Sequence, residues 1–179
     1  MTRHQARLRI DVATEADAAE LAALRTAVAQ DLTAQHGHGH WSSPATETSA
    51  LRDITSSHVL VARTSGGLVG TVRLATKKPW AIDLRYFTPV ERALYLHAMA
   101  VMPSHQRRGL GRQLIAKAVD ATTAWPAHAI RLDAYGHTAG AGPFYARCGF
   151  RQVGSATYRG LALQYFELVL GTEPPPSYR

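Results

Sequence analysis

Residues 105–114 read His-Gln-Arg-Arg-Gly-Leu-Gly-Arg-Gln-Leu, so three arginines and two glycines crowd the point where an apolar strand gives way to a helical pattern. A helix start exposes backbone N–H groups without intrahelical partners, and the macrodipole makes that end electropositive. Glycine lets an anion approach those amides with no Cβ in the way. Arg107, Arg108 and Arg112 add charge-assisted contacts. The chemistry this suits is the grip of a diphosphate. A Walker A loop would need a lysine that is absent here, and a dinucleotide turn would need a third glycine where Leu114 stands. What remains is Gln106-Arg107-Arg108-Gly109-Leu110-Gly111, preceded by the apolar run Ala98–Pro103.

Two other groups invite a chemical reading. Cys148 is the only cysteine, which excludes an internal disulfide and any multi-cysteine zinc site. It lies in the turn Ala-Arg-Cys-Gly-Phe with no Asn or Asp partner pattern, so a small buried hydrophobe is expected rather than a nucleophile. In His36-Gly-His-Gly-His-Trp41 three histidines alternate with glycine. A metal site needs rigid, convergent ligands, and two glycines make a mobile loop instead, so no metal is expected.

The elements that must position these residues follow from periodicity. Leu8–Val12 alternates as a half-buried strand. Thr14 reads as an N-cap, and Ala18, Leu21, Leu24, Val28 and Leu32 recur at helical spacing from Ala16 to about Ala34. Ser43-Pro44 starts a second helix through Thr55. His58–Arg63 and Leu68–Thr76 form a hairpin across Ser65-Gly66-Gly67. The segment from Lys77 to Arg92 has no period that places it. Leu94–Met102 is a strand, Arg108 to about Thr123 a helix, Ile130–Tyr135 a strand and Gly142–Arg147 a short helix. Strands near Arg151–Tyr158 and Leu161–Leu170 complete a single domain over 1–171, with a loose tail at 172–179. The order β-α-α-β-β-β-α-β-α-β-β fits a mixed sheet with helices on both faces. Leu94–Tyr135 should form a right-handed parallel crossover.

Composition bounds the class. The chain has 179 residues, 46% hydrophobic and 18% charged, the profile of a globular protein. No apolar run approaches the roughly 20 residues that span a bilayer, and the N-terminus has no secretory h-region, so no membrane partner and a cytoplasmic location are expected. The net charge of +7 comes almost wholly from arginine, since Lys77, Lys78 and Lys117 are the only lysines. The arginines are scattered except at the opening motif, which favours a local anion site over a nucleic-acid surface.

Gln106–Gly111 resembles the acetyl-CoA signature (Q/R)xxGx(G/A) of the GNAT superfamily of acyl-CoA-dependent N-acyltransferases. Gly142–Phe150, "GPFYARCGF", is similar to the family's following signature, and the element order is the family's order. The resemblance covers Leu8 to Leu170. It implies a mixed, mostly antiparallel α/β (α+β) sheet of about seven strands flanked by helices, with a splayed parallel pair formed by the strand before the loop and Ile130–Tyr135. It implies that the amides from Arg107 to Arg112 hold the coenzyme diphosphate, and that Met99, Ala100 and Val101 bond the pantetheine arm. The thioester would emerge beside Tyr145, the implied general acid. Family members often carry an asparagine seven residues ahead of that tyrosine; here it is Thr138, whose hydroxyl substitutes or leaves that contact unmade.

The base stays open. Strand alternation puts Tyr95, His97, Met99 and Val101 on one face, and His97 stands where arylalkylamine N-acetyltransferases carry a histidine. Asp133 is its rival, on the strand where the ribosomal-protein acetylating branch has a glutamate, and water alone is the third choice. The loop with His36, His38, His40 and Trp41, and the segment Tyr86–Arg92, are candidate linings of the acceptor pocket. The implied reaction is transfer of acetyl from acetyl-CoA, as co-substrate, to a primary amine of a small molecule or peptide by direct attack in a ternary complex. The alternative is a non-catalytic module that senses an acyl-CoA or docks to nucleic acid. Many relatives pair as homodimers. The net positive charge leans against highly cationic acceptors.

Overall fold

The computed structural model describes residues 8–171. Its strands are β1 (Arg9–Val12), β2 (His58–Thr64), β3 (Gly67–Ala75), β4 (Ala93–Val101), β5 (Ala129–Tyr135), β6 (Arg151–Tyr158) and β7 (Leu161–Val169). Its helices are α1 (Ala18–His36), α2 (Glu47–Ser56), α3 (Leu110–Ala124) and α4 (Gly142–Arg147). The strands form one mixed seven-stranded sheet in the order β1-β2-β3-β4-β5-β7-β6. β4 and β5 are its parallel pair, with Ala93–Tyr95 in register with Ala129–Arg131. The tail at 172–179 lies outside the described residues. No helix among the described residues is long and apolar enough to cross a membrane.

The chain groups into two compact units that share β4. The first holds the residues up to Ala75 together with Leu96–Ala121. Its core sets Ala18, Leu21, Ala22 and Leu24 of α1 and Ala50 of α2 against Val59 and Val61 of β2. Gly70 of β3 permits the close approach of α3, since a Cβ there would stand 3.0 Å from Leu114. Leu21 and Leu114 are fully buried, and each such side chain contributes roughly 1.5–3 kcal/mol.

The second unit comprises Thr76–Tyr95 and the chain from Thr122 onward. Ile82, Phe87 and Tyr95 pack with Leu163 and Tyr165 of β7. The segment that lacks periodicity is therefore fixed by distant partners. The Phe87 and Tyr165 ring centres lie 5.5 Å apart, tilted by 41°, and the Thr88 amide donates to Glu167 Oε2 at 3.2 Å. Glu167 and Arg131 form an ion pair at 3.1 Å with almost no exposure. Arg131 also donates to the Thr88 carbonyl and lies 5.1 Å from the Phe87 ring centre.

The second helix and the hairpin turn differ from the sequence expectation. The second helix starts at Glu47, not at Pro44, because Thr46 caps it: Thr46 Oγ1 accepts from the Ser49 amide and Ser49 Oγ from the Thr46 amide, both at 3.1 Å. Ser43 stays extended, at ψ 128°, as a residue before proline must. Gly67 belongs to β3, paired with Thr64, which leaves the turn two residues long.

Candidate active site

The first unit carries the glycine- and arginine-rich loop. After β4 a single 3-10 turn, Pro103–His105, leads into Arg107 at φ +59° and Gly109 at φ +82°. The helix starts at Leu110, two residues later than periodicity suggests, with the Gln113 amide donating to the Gly109 carbonyl at 3.2 Å. Among the described residues no acceptor is bound by any amide from Arg107 to Arg112. A Cβ built at Gly109 would meet nothing within 4 Å, so open space stands beside those amides. Arg107, Arg108 and Arg112 are exposed and form no ion pair among the described residues. The Gln106 side chain turns back and donates to the Val101 carbonyl at 3.0 Å. It ties the loop to the strand and occupies one acceptor site on that carbonyl.

β4 carries an irregularity. Ala98 has φ +47°, left-handed backbone within the strand. Ala100 and Met102 pack on the α1–α2 core. His97 precedes the break, half-buried, in the field of Arg73 and Asp53. Asp53 of α2 bridges Arg25 of α1 and Arg73 of β3, each at 2.7 Å. Burial first, and then the Arg73 charge, push the imidazole down to about 4, so His97 is neutral at physiological pH.

In the second unit, Tyr145 of α4 is buried at 7% exposure. Its ring is walled by Phe144 at 5.3 Å, Phe150 at 5.8 Å and Phe166 at 6.1 Å. The hydroxyl makes no hydrogen bond among the described residues. Burial, and then the Asp133 charge, hold the phenol above its ordinary pKa. Asp133 is half-buried on β5, directly opposite Tyr165 of β7, and burial raises its carboxyl. Gly142 lets α4 sit on β7, where a Cβ would stand 2.7 Å from Gln164 Oε1. Thr138, exposed, contacts His137 Nδ1 at 3.2 Å. Cys148 caps α4 and is half-buried.

The histidine-rich loop is stitched by its own bonds. Trp41 Nε1 donates to the Gly37 carbonyl at 3.1 Å, and Ser42 Oγ meets Thr33 Oγ1 at 2.7 Å. Among the described residues there is no group of three acidic, histidine or cysteine side chains that could hold a metal ion. Phe87 of the other candidate lining is core, while Tyr86 is 42% exposed.

The sequence profile of the Acetyltransferase (GNAT) family matches residues 23–150. The chain belongs to this family. The fold agrees. The ribosomal-protein-S18-alanine N-acetyltransferase from Escherichia coli superposes with a TM-score of 0.71 at 15% identity, over 97% of this chain and 100% of that one. The Salmonella typhimurium protein yncA, solved with its cofactor acetyl-CoA, gives 0.66 at 20% identity over 96% and 99%. An N-acetyltransferase from Staphylococcus aureus Mu50 gives 0.68 at 16% identity over 91% and 98%. No curated protein sequence matches the chain. Sequence reasoning missed Asp53 and Arg73 as the charged surroundings of His97, and Arg25 as the second partner of Asp53. They lie 28 and 20 residues apart in pairs that meet only in the fold, and no local signal joins them.

Proposed function

We propose that this acetyltransferase moves the acetyl group of acetyl-CoA to a primary amine of a small molecule or peptide, by direct attack in a ternary complex. The observation that carries the reading is the run of amides from Arg107 to Arg112, unpartnered among the described residues and open to space at Gly109. Such a run beside three unpaired arginines is a fit for a diphosphate. A relative of the same fold, yncA, holds acetyl-CoA, which supports that choice of co-substrate.

When bound, the coenzyme supplies an activated acyl carbon and a thiolate leaving group. The amides of Arg107, Arg108, Gly109, Leu110, Gly111 and Arg112 hold its diphosphate, and Gln106 keeps the loop against β4. The backbone of Met99, Ala100 and Val101 pairs with the extended arm, and Thr138 offers a hydroxyl to it. Tyr145, whose phenol stays protonated, donates a proton to the departing sulfur. His97, neutral and without a hydrogen bond among the described residues, accepts the proton that the acceptor nitrogen loses in the adduct.

Calorimetry with CoA tests the reading. Arg108→Glu with Arg112→Glu alters two exposed side chains and leaves the core intact. Each lost charge-assisted contact is worth about 1.5 kcal/mol, so affinity should fall roughly a hundredfold for the pair and weaken with salt. No uptake of CoA, or unchanged affinity in the double variant, would remove the reading.

A further inference from the structure

We propose that the cavity lined by Trp80 and Lys78 is a binding site for a planar aromatic carboxylate, with the Trp80 indole against its ring and the Lys78 ammonium on its anionic group. The site belongs wholly to the second unit and uses no residue that the acetyl-transfer reading uses.

Trp80 is 83% exposed, although tryptophan is on average a highly buried residue. Its loop is nevertheless fixed. The Lys78 ammonium donates to the carbonyls of Pro79 and Ile82 at 2.9 and 2.8 Å, and the Ile82 amide donates to the Pro79 carbonyl at 3.3 Å. The Tyr165 hydroxyl, on β7, donates to the Ala81 carbonyl. Ile82 is buried at 2% exposure, and Asp83 caps the 3-10 turn Leu84–Tyr86 by accepting from the Arg85 amide at 3.1 Å. A backbone tied down around an indole that stays in water presents that ring. Holding it there lowers the ordering cost that a ligand must overcome.

The cavity measures about 470 Å³, and Leu84, Tyr158 and Tyr165 share its walls. That volume falls in the range of small-molecule sites, and the ring faces suit a flat aromatic body. Charge selects the other end of the ligand. Lys78 and Asp83 are the acid and base of the lining. The Asp83 carboxylate is already answered by Arg85 at 2.6 Å, and of the groups acting on it Lys78 acts least. Lys78 makes no ion pair among the described residues. An ammonium has three donors, and the loop carbonyls take two. The third, with the uncompensated charge, suits a carboxylate. A neutral ring would leave that charge unanswered, and an aliphatic acid would leave the indole unstacked.

NMR of the ¹⁵N-labelled full chain tests this, since the three tryptophans give three indole signals and Trp80→Phe identifies one of them. With 2-naphthoate at millimolar concentration the Trp80 signal should shift and saturate, while those of Trp41 and Trp125 stay in place. 2-Naphthylmethanol and cyclohexanecarboxylate should each bind about fivefold more weakly or worse. Trp80→Ala alters an exposed side chain and should weaken 2-naphthoate roughly tenfold. Lys78→Gln keeps a donor for the loop carbonyls; it should weaken 2-naphthoate about fivefold and leave 2-naphthylmethanol unchanged. A shift of all three indoles without saturation, 2-naphthylmethanol binding as tightly as 2-naphthoate, or unchanged affinity in Trp80→Ala would each overturn the assignment. CoA calorimetry on the same samples separates the two readings: lost CoA binding sinks acetyl transfer, whereas the Trp80 signal reports on this cavity alone.

Discussion

Replacing Tyr145 by phenylalanine deletes one oxygen and keeps the ring among Phe144, Phe150 and Phe166. The hydroxyl forms no hydrogen bond among the described residues, so its removal leaves no donor or acceptor stranded. The expected change in stability is under about 1 kcal/mol. Its removal from the reaction is another matter. A positioned general acid contributes roughly 10²- to 10⁴-fold, or about 3–5 kcal/mol of barrier. The pH profile adds a second signature. Burial and the Asp133 charge raise the phenol, so Tyr145 stays a competent donor to a pH above its reference of about 10. The parent should therefore keep its turnover on the alkaline side, and Tyr145→Phe should be slow across the whole range. Thiol release from acetyl-CoA against an amine panel measures the first effect, and thermal unfolding the second. A variant that melts with the parent and turns over at the parent's rate would refute the acid role.

Two more outcomes follow from the charged sites. His97 titrates near 4 in the folded chain against a reference of 6.5, so the unfolded chain binds more protons between those values. Stability is then lost as pH falls from 6.5 towards 4, by about 3 kcal/mol in full. His97→Gln should flatten that loss in melting curves taken at stepped pH; parallel curves for parent and variant would contradict the placement. Glu167→Gln should cost about 3–5 kcal/mol in urea unfolding, because it strands the buried Arg131 charge. Adding Arg131→Met should recover part of the loss, and a double variant no better than the single would argue against a charge penalty.

The element order was legible because each element carries its own period. Leu21 and Leu24, or Leu110, Leu114 and Ile115, mark helix faces that the fold does bury. The segment from Lys77 to Arg92 was illegible for the converse reason. Its place is set by Tyr165, Arg131 and Glu167, the last lying 79 residues from its partner Thr88, and nothing local records that. The loop proposed for the diphosphate could be read from glycine and arginine spacing. The break in β4 could not, because alanine carries no preference for the left-handed region, where a non-glycine residue costs about 1–2 kcal/mol.

Left-handed non-glycine backbone occurs at Ala98 and Arg107, on either side of the loop entry, and at Arg159 in the β6–β7 turn. The amides from Arg107 to Arg112 bond no acceptor among the described residues. Elsewhere many polar groups are matched: Asp53 serves two arginines, Thr46 and Ser49 cap each other, and Glu167 answers Arg131, while Arg25 Nε and Nη2 and Arg63 Nε are buried without a partner among the described residues. A chain able to build such matched pairs gains nothing in stability from leaving the others unmatched. Unspent polar groups on otherwise consistent elements are what a site looks like before its ligands arrive. The donors at the loop are chemically suited to an anion.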